Sequence, residues 1–264
     1  MIETLYVHVT TRCNLKCDYC YIDDSSQELP LAEWLAFLRQ VAECPPEKIT
    51  LTGGEPLLYP HLFDIARYCK TSMPSVKLRL ITNGFFVTPQ NASFFTVFDE
   101  VRLSVDGDEA HTDALRGEGC TQIVKQALRL LGNANVSVAA SVTVVTDSDD
   151  SLEDAVHQVW RLGFHVIRVH TVKRIGRAKK YPVTEKRQEE SVLHGNCGIG
   201  RYLNIMPDGR IYPCHALCVP EFILGTIQKD DYRSVCEKQN AWKKTRYAEL
   251  CSDGTPCDAY PFFG

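Results

Sequence analysis

The stretch LYVHVTTRCNLKCDYC, residues 5–20, decides the fold of this chain, because an apolar strand runs directly into three closely spaced cysteines. Parallel α/β folds collect their functional groups in the loops that follow the carboxyl ends of their strands. Three thiols at spacings of four and three residues can surround one metal centre from a single loop. The stretch therefore predicts a first strand with a metal-binding loop at its carboxyl end.

Further strand-like runs alternate with helical periodicity up to about residue 170. The six runs are Thr4–Val9, Ile49–Thr52, Val76–Thr82, Val101–Val105, Val136–Val145 and His165–His170. This alternation favours parallel strands joined by right-handed crossovers. Six units are too few for a closed eight-stranded barrel, so we expect an α/β fold of the partial (β/α)6 barrel type, with a doubly wound sheet as the alternative. Gly132 and Gly163 are expected to end two helices as left-handed residues. His8 and His170 lie on predicted strands, as acid–base groups inside the barrel or as core residues.

A change of pattern near residue 171 marks a predicted domain boundary. Residues 1–175 form the predicted barrel, and residues 176–264 form a linker and a smaller extension. The basic stretch at residues 173–180 is expected to be a solvated linker, with an anion-contacting loop as the alternative. In the extension, Pro207-Asp208-Gly209 between Tyr202–Ile205 and Arg210–Tyr212 predicts a hairpin.

Composition excludes several classes of protein. The 29 Lys and Arg residues against 33 Asp and Glu residues give a net charge of −4, and one short basic stretch is too little for a nucleic-acid interface. No apolar run approaches the roughly 18 residues of a membrane span, and the first residues lack the pattern of a signal peptide. We therefore expect a cytoplasmic protein without nucleic-acid or membrane partners, and the oligomeric state stays open.

Cysteine is the unusual residue type, with 12 in the chain. That number is too high for core thiols alone in a cytosolic protein and too low for a disulfide scaffold. The first group is Cys13, Cys17 and Cys20. A second group in the last quarter comprises Cys197, Cys214, Cys218, Cys236, Cys251 and Cys257. Structural zinc usually takes four protein ligands, whereas an iron–sulfur cubane held by three thiolates leaves one iron open. The first group therefore favours an iron–sulfur cluster, with zinc or unligated thiols as alternatives.

The first group, with Tyr19 before its last cysteine, resembles the CxxxCxxC signature of the radical S-adenosylmethionine (SAM) superfamily. Further matching segments follow in order, mostly at predicted strand ends: Gly53-Gly54-Glu55-Pro56, Thr82-Asn83-Gly84, Leu103-Ser104-Val105-Asp106-Gly107, His111, Leu115-Arg116-Gly117 and Gly176-Arg177-Ala178. The resemblance implies that Cys13, Cys17 and Cys20 hold a [4Fe-4S] cluster. The SAM contacts that it implies are Tyr19, Gly53, Gly54, Glu55, Asn83, Ser104, Asp106 and Ser141.

The activity implied by this resemblance is reductive cleavage of SAM. An external donor such as flavodoxin or ferredoxin supplies the electron, and the resulting 5′-deoxyadenosyl radical abstracts hydrogen from a C–H bond. The same residues also permit plainer interpretations. The two glycines allow close approach to a ligand or only a tight turn, and Glu55 can accept from an ammonium group or cap a helix. Asn83 can belong to a simple turn, and Ser104 and Asp106 suit ribose hydroxyls or a solvated strand end.

The second cysteine group resembles the twitch and SPASM extensions of the same superfamily. The spacing from Cys197 through Gly209 to Cys214 fits their CX9–15GX4C element, and only Cys251-X5-Cys257 remains of the later SPASM run. The resemblance implies a twitch-type extension with one auxiliary [4Fe-4S] cluster, and zinc on the hairpin is the alternative. The ligands that it implies are Cys197, Cys214, Cys251 and Cys257.

Cysteines that do not bind the auxiliary cluster are candidate hydrogen donors, or they are simply packed. The candidates are Cys236, Cys218 and Cys251. A thiol that donates hydrogen to the substrate radical makes the enzyme an epimerase. Without such a thiol, the radical loses a proton and passes its electron to the auxiliary cluster, which makes the enzyme a dehydrogenase and thus an oxidoreductase.

The expected substrate is a small carbohydrate or aminoglycoside. A compact barrel with one auxiliary cluster resembles the aminocyclitol dehydrogenases and neomycin-type aminoglycoside epimerases of antibiotic biosynthesis. The alternative is a maturase that epimerises or cross-links a ribosomally made peptide. Because the cysteine loop begins at Cys13, we expect no leader-binding domain ahead of the barrel, so that a separate protein would bind a leader. A zinc scaffold and an electron-transfer protein are less favoured, since a scaffold has no need of the GGEP segment.

Overall fold

A computed structural model describes residues 2–22, 25–145, 149–172, 176–181 and 201–250 of the chain. Its first part alternates strands and helices: β1 Thr4–His8, α1 Leu31–Glu43, β2 Lys48–Thr52, α2 Leu62–Ser72, β3 Lys77–Thr82, β4 Glu100–Ser104, α3 Glu109–Arg116, α4 Cys120–Asn133, β5 Val138–Val144, α5 Asp149–Arg161 and β6 Ile167–Thr171. The six predicted strands are confirmed, with ends that shift by no more than two residues. Three 3-10 turns, Pro56–Leu58, Ala92–Val97 and Gly176–Lys180, lie between or after these elements.

The extension adds β7 Tyr202–Ile205, β8 Arg210–Tyr212, β9 Gly225–Thr226 and α6 Tyr232–Leu250. The predicted hairpin is confirmed, since β7 and β8 pair in antiparallel fashion and Gly209 has a φ of +85° in the turn between them. All strands belong to one nine-stranded sheet in the order β6-β5-β4-β3-β2-β1-β7-β8-β9. Strands β1 to β7 run parallel, so the α/β partial barrel passes into the extension through the β1–β7 pair. The boundary at residue 175 stays a prediction.

The two faces of the sheet differ in chemistry. Side chains of alternate residues point to opposite faces of a strand. On the outer face, apolar side chains pack with the helices into the main core: Leu5, Val7, Ile49, Leu51, Leu78, Leu80, Val101, Leu103, Ala140, Val142, Leu203 and Ile205. The alternate residues on the inner face are mostly polar or charged. The sheet therefore presents a polar concave face next to the loop that carries the cysteines.

The helices cover the outer face with apolar stripes. On α1 the buried residues are Trp34, Phe37, Leu38 and Val41. Gly163 has a φ of +102° after α5, as predicted. The expectation for Gly132 was wrong, because it lies inside α4 and the left-handed residue is Asn135, with a φ of +57°. Asparagine adopts this conformation more readily than other residues with a side chain. Within the described residues, no helix is both long enough and apolar enough to cross a membrane.

Candidate active site

The three predicted cluster ligands lie in the loop that follows β1. Cys13, Cys17 and Cys20 are all free thiols and partly exposed. Burial raises the pKa of Cys13 to about 11 and also raises the pKa of Cys17, so thiolates in this loop need a positively charged partner. In the described part of the chain, no three His, Cys, Asp or Glu side chains converge on a single ion. Three soft thiolates on one loop suit an iron–sulfur cluster that leaves one iron open for a further ligand.

The glycines of the GGEP segment pack directly against this loop. Gly54 N–H donates to the Thr10 carbonyl and Glu55 N–H donates to the Arg12 carbonyl, each at 2.8 Å. A Cβ added at Gly53 would lie 2.4 Å from the Thr10 oxygen, and one at Gly54 would lie 2.3 Å from the Arg12 oxygen. These separations are far below van der Waals contact. The close approach that the sequence suggested is thus an approach of two backbone segments, which fixes the loop against the end of β2.

Glu55 joins the ends of β2 and β3. Its buried carboxylate accepts from Leu57 N–H at 3.0 Å, from the Thr82 hydroxyl at 2.7 Å and from Asn83 N–H at 2.8 Å. The bond from Leu57 caps the 3-10 turn Pro56–Leu58, as the plainer interpretation expected. Burial raises the pKa of Glu55 to about 7, although its three hydrogen bonds oppose this shift.

Asn83 braces the cysteine loop from the end of β3. Its side-chain amide donates to the Oδ1 atom of Asn14 at 2.8 Å, and its own Oδ1 accepts from Phe85 N–H at 3.0 Å. Asn14 follows the first cysteine of the loop. The turn after β3 is therefore more than a chain reversal, because the Asn83 side chain holds that of Asn14, between Cys13 and Cys17.

Asp106 is the centre of a buried polar network. Its carboxylate accepts from the Tyr19 hydroxyl at 2.7 Å, from Arg116 Nε at 2.7 Å and Nη2 at 3.0 Å, and from Thr143 N–H at 2.9 Å. The Arg116 guanidinium also lies 5.4 Å from the centre of the Tyr19 ring. These protein donors use both oxygens that the sequence suggested for a ribose. Asp106 thus positions Tyr19 and Arg116 beside the cysteine loop.

Two serines lie side by side on neighbouring strands near the carboxyl edge of the sheet. Ser104 is the last residue of β4 and pairs in register with Ser141 of β5. Ser141 is buried and Ser104 is half-buried. Both lie on the concave face, toward the edge of the sheet at which the cysteine loop begins.

The basic stretch was expected to be a solvated linker, and its described part, Gly176–Lys180, is docked on the cysteine loop instead. Arg177 N–H donates to the carbonyl of Cys20 at 3.0 Å, and Arg177 Nε donates to that of Cys17 at 2.9 Å. Lys180 forms an ion pair with Asp18. Arg177 thus binds two carbonyl oxygens of the loop and Lys180 binds its carboxylate, so the stretch holds the loop in place.

More than half of the sequence matches the family that this geometry suggests. The model of the Radical SAM superfamily matches residues 7–159, more than half of the chain. This chain belongs to the radical SAM superfamily. The matched region runs from β1 to α5 and includes each of the loop-bracing residues described above except those of the basic stretch.

Several curated radical SAM relatives align with nearly the whole chain. AlbA of Bacillus subtilis (strain 168), an antilisterial bacteriocin subtilosin biosynthesis protein, is 25% identical over 297 residues, covering 97% of this chain and 64% of its own length. SkfB of the same organism, a sporulation killing factor maturation protein, is 25% identical, covering 89% of this chain and 60% of its own length. The mycofactocin maturase MftC of Mycolicibacterium smegmatis is 24% identical, covering 94% of this chain and 74% of its own length. The chain spans less than two thirds of the first two relatives.

Solved structures show the same fold. The structure of anSMEcpe with bound AdoMet has a TM-score of 0.72 at 18% identity and covers 94% of this chain and 88% of that chain. SuiB of Streptococcus suis, bound to the precursor peptide SuiA, has a TM-score of 0.73 at 15% identity, with 93% and 67% covered. BtrN in complex with AdoMet and 2-DOIA has a TM-score of 0.56 at 14% identity, with 92% and 86% covered.

A group of rings fills the space between the radical SAM loop and the extension. Tyr21 follows the last cysteine of the loop, and His215 follows Cys214 of the extension. The His215 ring lies 4.3 Å from Tyr6, 5.6 Å from His8 and 6.0 Å from Tyr21, measured between ring centres. Sequence reasoning missed this group, and the only available signal was that an aromatic or imidazole ring follows a cysteine in both places.

The second cysteine group is described only in part. Cys214 and Cys218 lie together, with the Cys218 thiol 3.5 Å from the Cys214 carbonyl. Burial raises the pKa of Tyr21, and the nearby Cys218 and Cys20 thiols raise it further, so Cys218 lies in the neighbourhood of Tyr21. Cys236 lies instead on α6, beside Tyr232 and Cys44 in the outer helical layer, and the structure does not bring it to the loop. The predicted ligands Cys197, Cys251 and Cys257 lie outside the described residues.

Proposed function

We propose that the chain is a radical SAM maturase that modifies a ribosomally made peptide by epimerisation or cross-linking. The observation that carries the proposal is the cysteine loop, which is held by backbone and side-chain contacts at the carboxyl edge of a partial barrel. The curated relatives take part in bacteriocin biosynthesis and in maturation, and SuiB has been solved with a precursor peptide. A small carbohydrate, the main expectation from the sequence, has weaker support, since the likeness to BtrN has a TM-score of 0.56.

The residues around the loop divide into ligands and braces. Cys13, Cys17 and Cys20 would hold the [4Fe-4S] cluster. When bound, and when reduced by an external donor such as flavodoxin or ferredoxin, the cluster supplies the electron that cleaves SAM. The SAM contacts that we propose are the backbone of Gly53, Gly54 and Glu55 with the side chains of Asn83, Ser104 and Ser141. Tyr19 and Asp106 act as positioning residues, because their polar atoms are already paired with each other.

We assign the extension to an auxiliary [4Fe-4S] cluster. Cys214 is its described ligand in this proposal, together with Cys197, Cys251 and Cys257. Among the described thiols of the extension, Cys218 is the hydrogen donor that we favour, because it lies near Tyr21, next to the cysteine loop, while Cys236 lies beside Tyr232 and Cys44. The partial barrel would comprise residues 1–175 and the extension residues 176–264.

Anaerobic reconstitution tests the assignment of the loop. Replacement of Cys13, Cys17 and Cys20 by Ala should lower the iron content from about eight to about four atoms per chain and abolish cleavage of SAM. Cys44→Ala is the matched control, because Cys44 is an exposed thiol at the end of α1, and it should keep both properties. Sustained SAM cleavage in the triple variant would refute the assignment, and a fall from about four irons to none would refute the auxiliary cluster.

The substrate class is tested by the rate at which the reduced enzyme forms 5′-deoxyadenosine. We expect stimulation by members of a panel of synthetic precursor peptides and none by a panel of aminoglycosides. Stimulation by aminoglycosides alone would reverse the choice of substrate. If the reaction is an epimerisation with a thiol donor, product formed in deuterated water should carry one deuterium at the inverted carbon, and Cys218→Ala should still cleave SAM but form no inverted product.

A further inference from the structure

The concave face of the sheet is built in layers of side chains. Strand register places Asn204 of β7, Tyr6 of β1, Thr50 of β2, Arg79 of β3 and Glu100 of β4 side by side in one row. A second row, two residues further along each strand, contains His8, Thr52, Ile81 and Arg102. Rows of this kind fill the interior of parallel barrels. Here the first row is almost entirely polar, which an interior without a ligand does not favour.

The charges in these rows do not balance. Glu100 accepts from Arg102 Nε at 2.6 Å, lies 3.6 Å from Arg79 Nε, and is reached by Arg168 of β6 at 3.4 Å. Three guanidinium groups therefore share one carboxylate among the described residues. Burial and the charge of Arg102 lower the pKa of Arg79, while the arginines lower the pKa of Glu100 even though burial opposes it. A partly buried excess of positive charge is costly unless an anion compensates it.

Three uncharged polar side chains of the rows have no hydrogen-bond partner among the described residues. Among the described residues, no hydrogen bond reaches the Thr50 hydroxyl, the side-chain amide of Asn204 or either ring nitrogen of His8. All three side chains are no more than 1% exposed. Thr50 and Asn204 flank Tyr6 in the same row that contains Arg79. Asn204 lies close enough to His8 to raise its pKa, and the Thr50 hydroxyl and the Asn204 amide add hydrogen-bond donors to a face that is already cationic.

Two of the three arginines lie partly in contact with solvent. The exposed fraction rises from 6% at Arg102 through 19% at Arg79 to 46% at Arg168. The first row is also far from the proposed SAM site. Glu100 and Ser104 are the two ends of β4, and four residues of a strand span roughly 13 Å. The methionine carboxylate of SAM stays near the thiol loop, so the anion in the rows belongs to a second molecule.

We propose that these rows bind a carboxylate of the peptide substrate, held by Arg79 and Arg102 with hydrogen bonds from Thr50 and Asn204. The inference rests on the proposed function, because it assigns the anion to a peptide. Guanidinium groups pair with carboxylates through parallel hydrogen bonds, which suits an acidic side chain and a free carboxyl terminus equally. The site thus selects the substrate by one charge at the floor of the barrel, opposite the loop that binds SAM.

Three short peptides test the proposal on the reconstituted holoenzyme with SAM present. The first is acetyl-Gly-Glu-Gly-amide, the second is acetyl-Gly-Gln-Gly-amide, and the third is acetyl-Gly-Gln-Gly with a free carboxyl terminus. Dissociation constants from saturation-transfer NMR should show that at least one carboxylate peptide binds about tenfold or more tightly than the neutral one. Which of the two does so identifies the source of the carboxylate. Equal binding of all three peptides would overturn the inference.

Charge variants show whether the preference comes from this site. Arg79→Gln and Arg102→Gln should each lower the preference to less than about threefold. Arg129→Gln should keep it, because Arg129 lies on the outer surface of α4. Equal loss in all three variants, or persistence in both site variants, would overturn the inference. So would a comparable loss of SAM affinity in Arg102→Gln, since the arginines would then serve SAM. Failure of the unaltered enzyme to cleave SAM would instead overturn the proposed function, which these binding constants do not measure.

Discussion

Asp106 accepts four hydrogen bonds beside the cysteine loop. Its side chain is fully buried and that of Arg116 is 9% exposed, so each charge relies on the other. Loss of one member of a buried ion pair leaves an uncompensated charge in a poorly solvated place. A carboxylate in this position therefore contributes to stability as well as to the placement of Tyr19.

Replacement of this carboxylate should be costly. We expect Asp106→Asn to lower the free energy of unfolding by about 3 kcal/mol, because Arg116 stays buried without its counter-charge. Anaerobic urea unfolding measures this effect. Glu109→Gln is the matched control, since Glu109 pairs with Lys125 at 3.6 Å on the surface and should cost less than about 0.5 kcal/mol. Equal losses in the two variants would show that the network does not stabilise the fold.

His8 should make stability depend on pH. Burial lowers its pKa from 6.5 to about 4, and neighbouring Asn204 only partly offsets this. Between these two values the unfolded chain binds the proton and the folded chain does not, so stability rises with pH from 4 to 6.5 and is lost as the pH falls. As the pH falls from 6.5 to 4, protonation of this histidine in the unfolded chain lowers the free energy of unfolding by about 3 kcal/mol.

Unfolding measured at pH 4.5 and pH 7 isolates the contribution of His8. His8→Gln should be less sensitive to pH than the unaltered chain across this interval, because the variant has no imidazole to protonate. His157→Gln replaces an exposed histidine of α5 and should leave the pH dependence unchanged. An unchanged profile in His8→Gln would mean that the imidazole accepts a proton in the folded chain.

The strands could be predicted from the sequence because each combines a short apolar run with a turn or a helical period at its end. Two helices were missed, α3 and α6, and the only buried residue of α3, Glu109–Arg116, is Thr112. A helix that is polar on nearly all sides has no apolar stripe to reveal it. The expectation for Gly132 failed for another reason. Glycine is the usual left-handed residue at the end of a helix, but here the chain turns three residues later, at Asn135.

The candidate site could be predicted as a set of residues but not as a set of contacts. The cysteine spacing and the GGEP segment are local patterns, and they identified the loop. The bond from Tyr19 to Asp106 joins residues 87 apart, and that from Arg177 to Cys17 joins residues 160 apart. Such pairings depend on how the sheet brings strand ends together, which no local pattern records. The basic stretch was read as a linker for this reason.

Gly54, where the end of β2 packs against the cysteine loop, should tolerate no side chain. Gly54 is not among the glycines with positive φ, so alanine suits its backbone, but the added Cβ would lie 2.3 Å from the Arg12 oxygen. We expect Gly54→Ala to destabilise the chain by about 2 kcal/mol and to weaken SAM binding about tenfold. Gly132→Ala in α4 is the matched control, since nothing lies within 4 Å of its Cβ position. It should stabilise the helix by about 0.5–1 kcal/mol, and a similar loss in both variants would contradict the steric argument.

At the scale of the whole molecule, barrel and extension share one sheet. Strand β1 lies between β2 and β7, and its residues Thr4 to Val7 pair with Tyr202 to Ile205. The sequence predicted the hairpin but not its attachment, because a parallel pairing across nearly 200 residues has no local signature. Strand β7 thereby covers the edge of β1 that β2 leaves open. It also brings the rings around His215 next to Tyr6 and His8 of β1.

This shared sheet predicts that the extension and the barrel unfold together. Leu203 of β7 is fully buried in the same core as Leu5 of β1, so Leu203→Ala should destabilise the whole sheet by about 3 kcal/mol. Amide hydrogen exchange followed by mass spectrometry should then show faster exchange in β2, β3 and β4 as well as in β7, because global opening becomes more frequent. Ile223→Ala is the control, since Ile223 is 37% exposed and should change exchange little. Faster exchange confined to residues 201–250 would mean that the extension unfolds as a separate unit and that the β1–β7 pair does not couple its unfolding to that of the barrel.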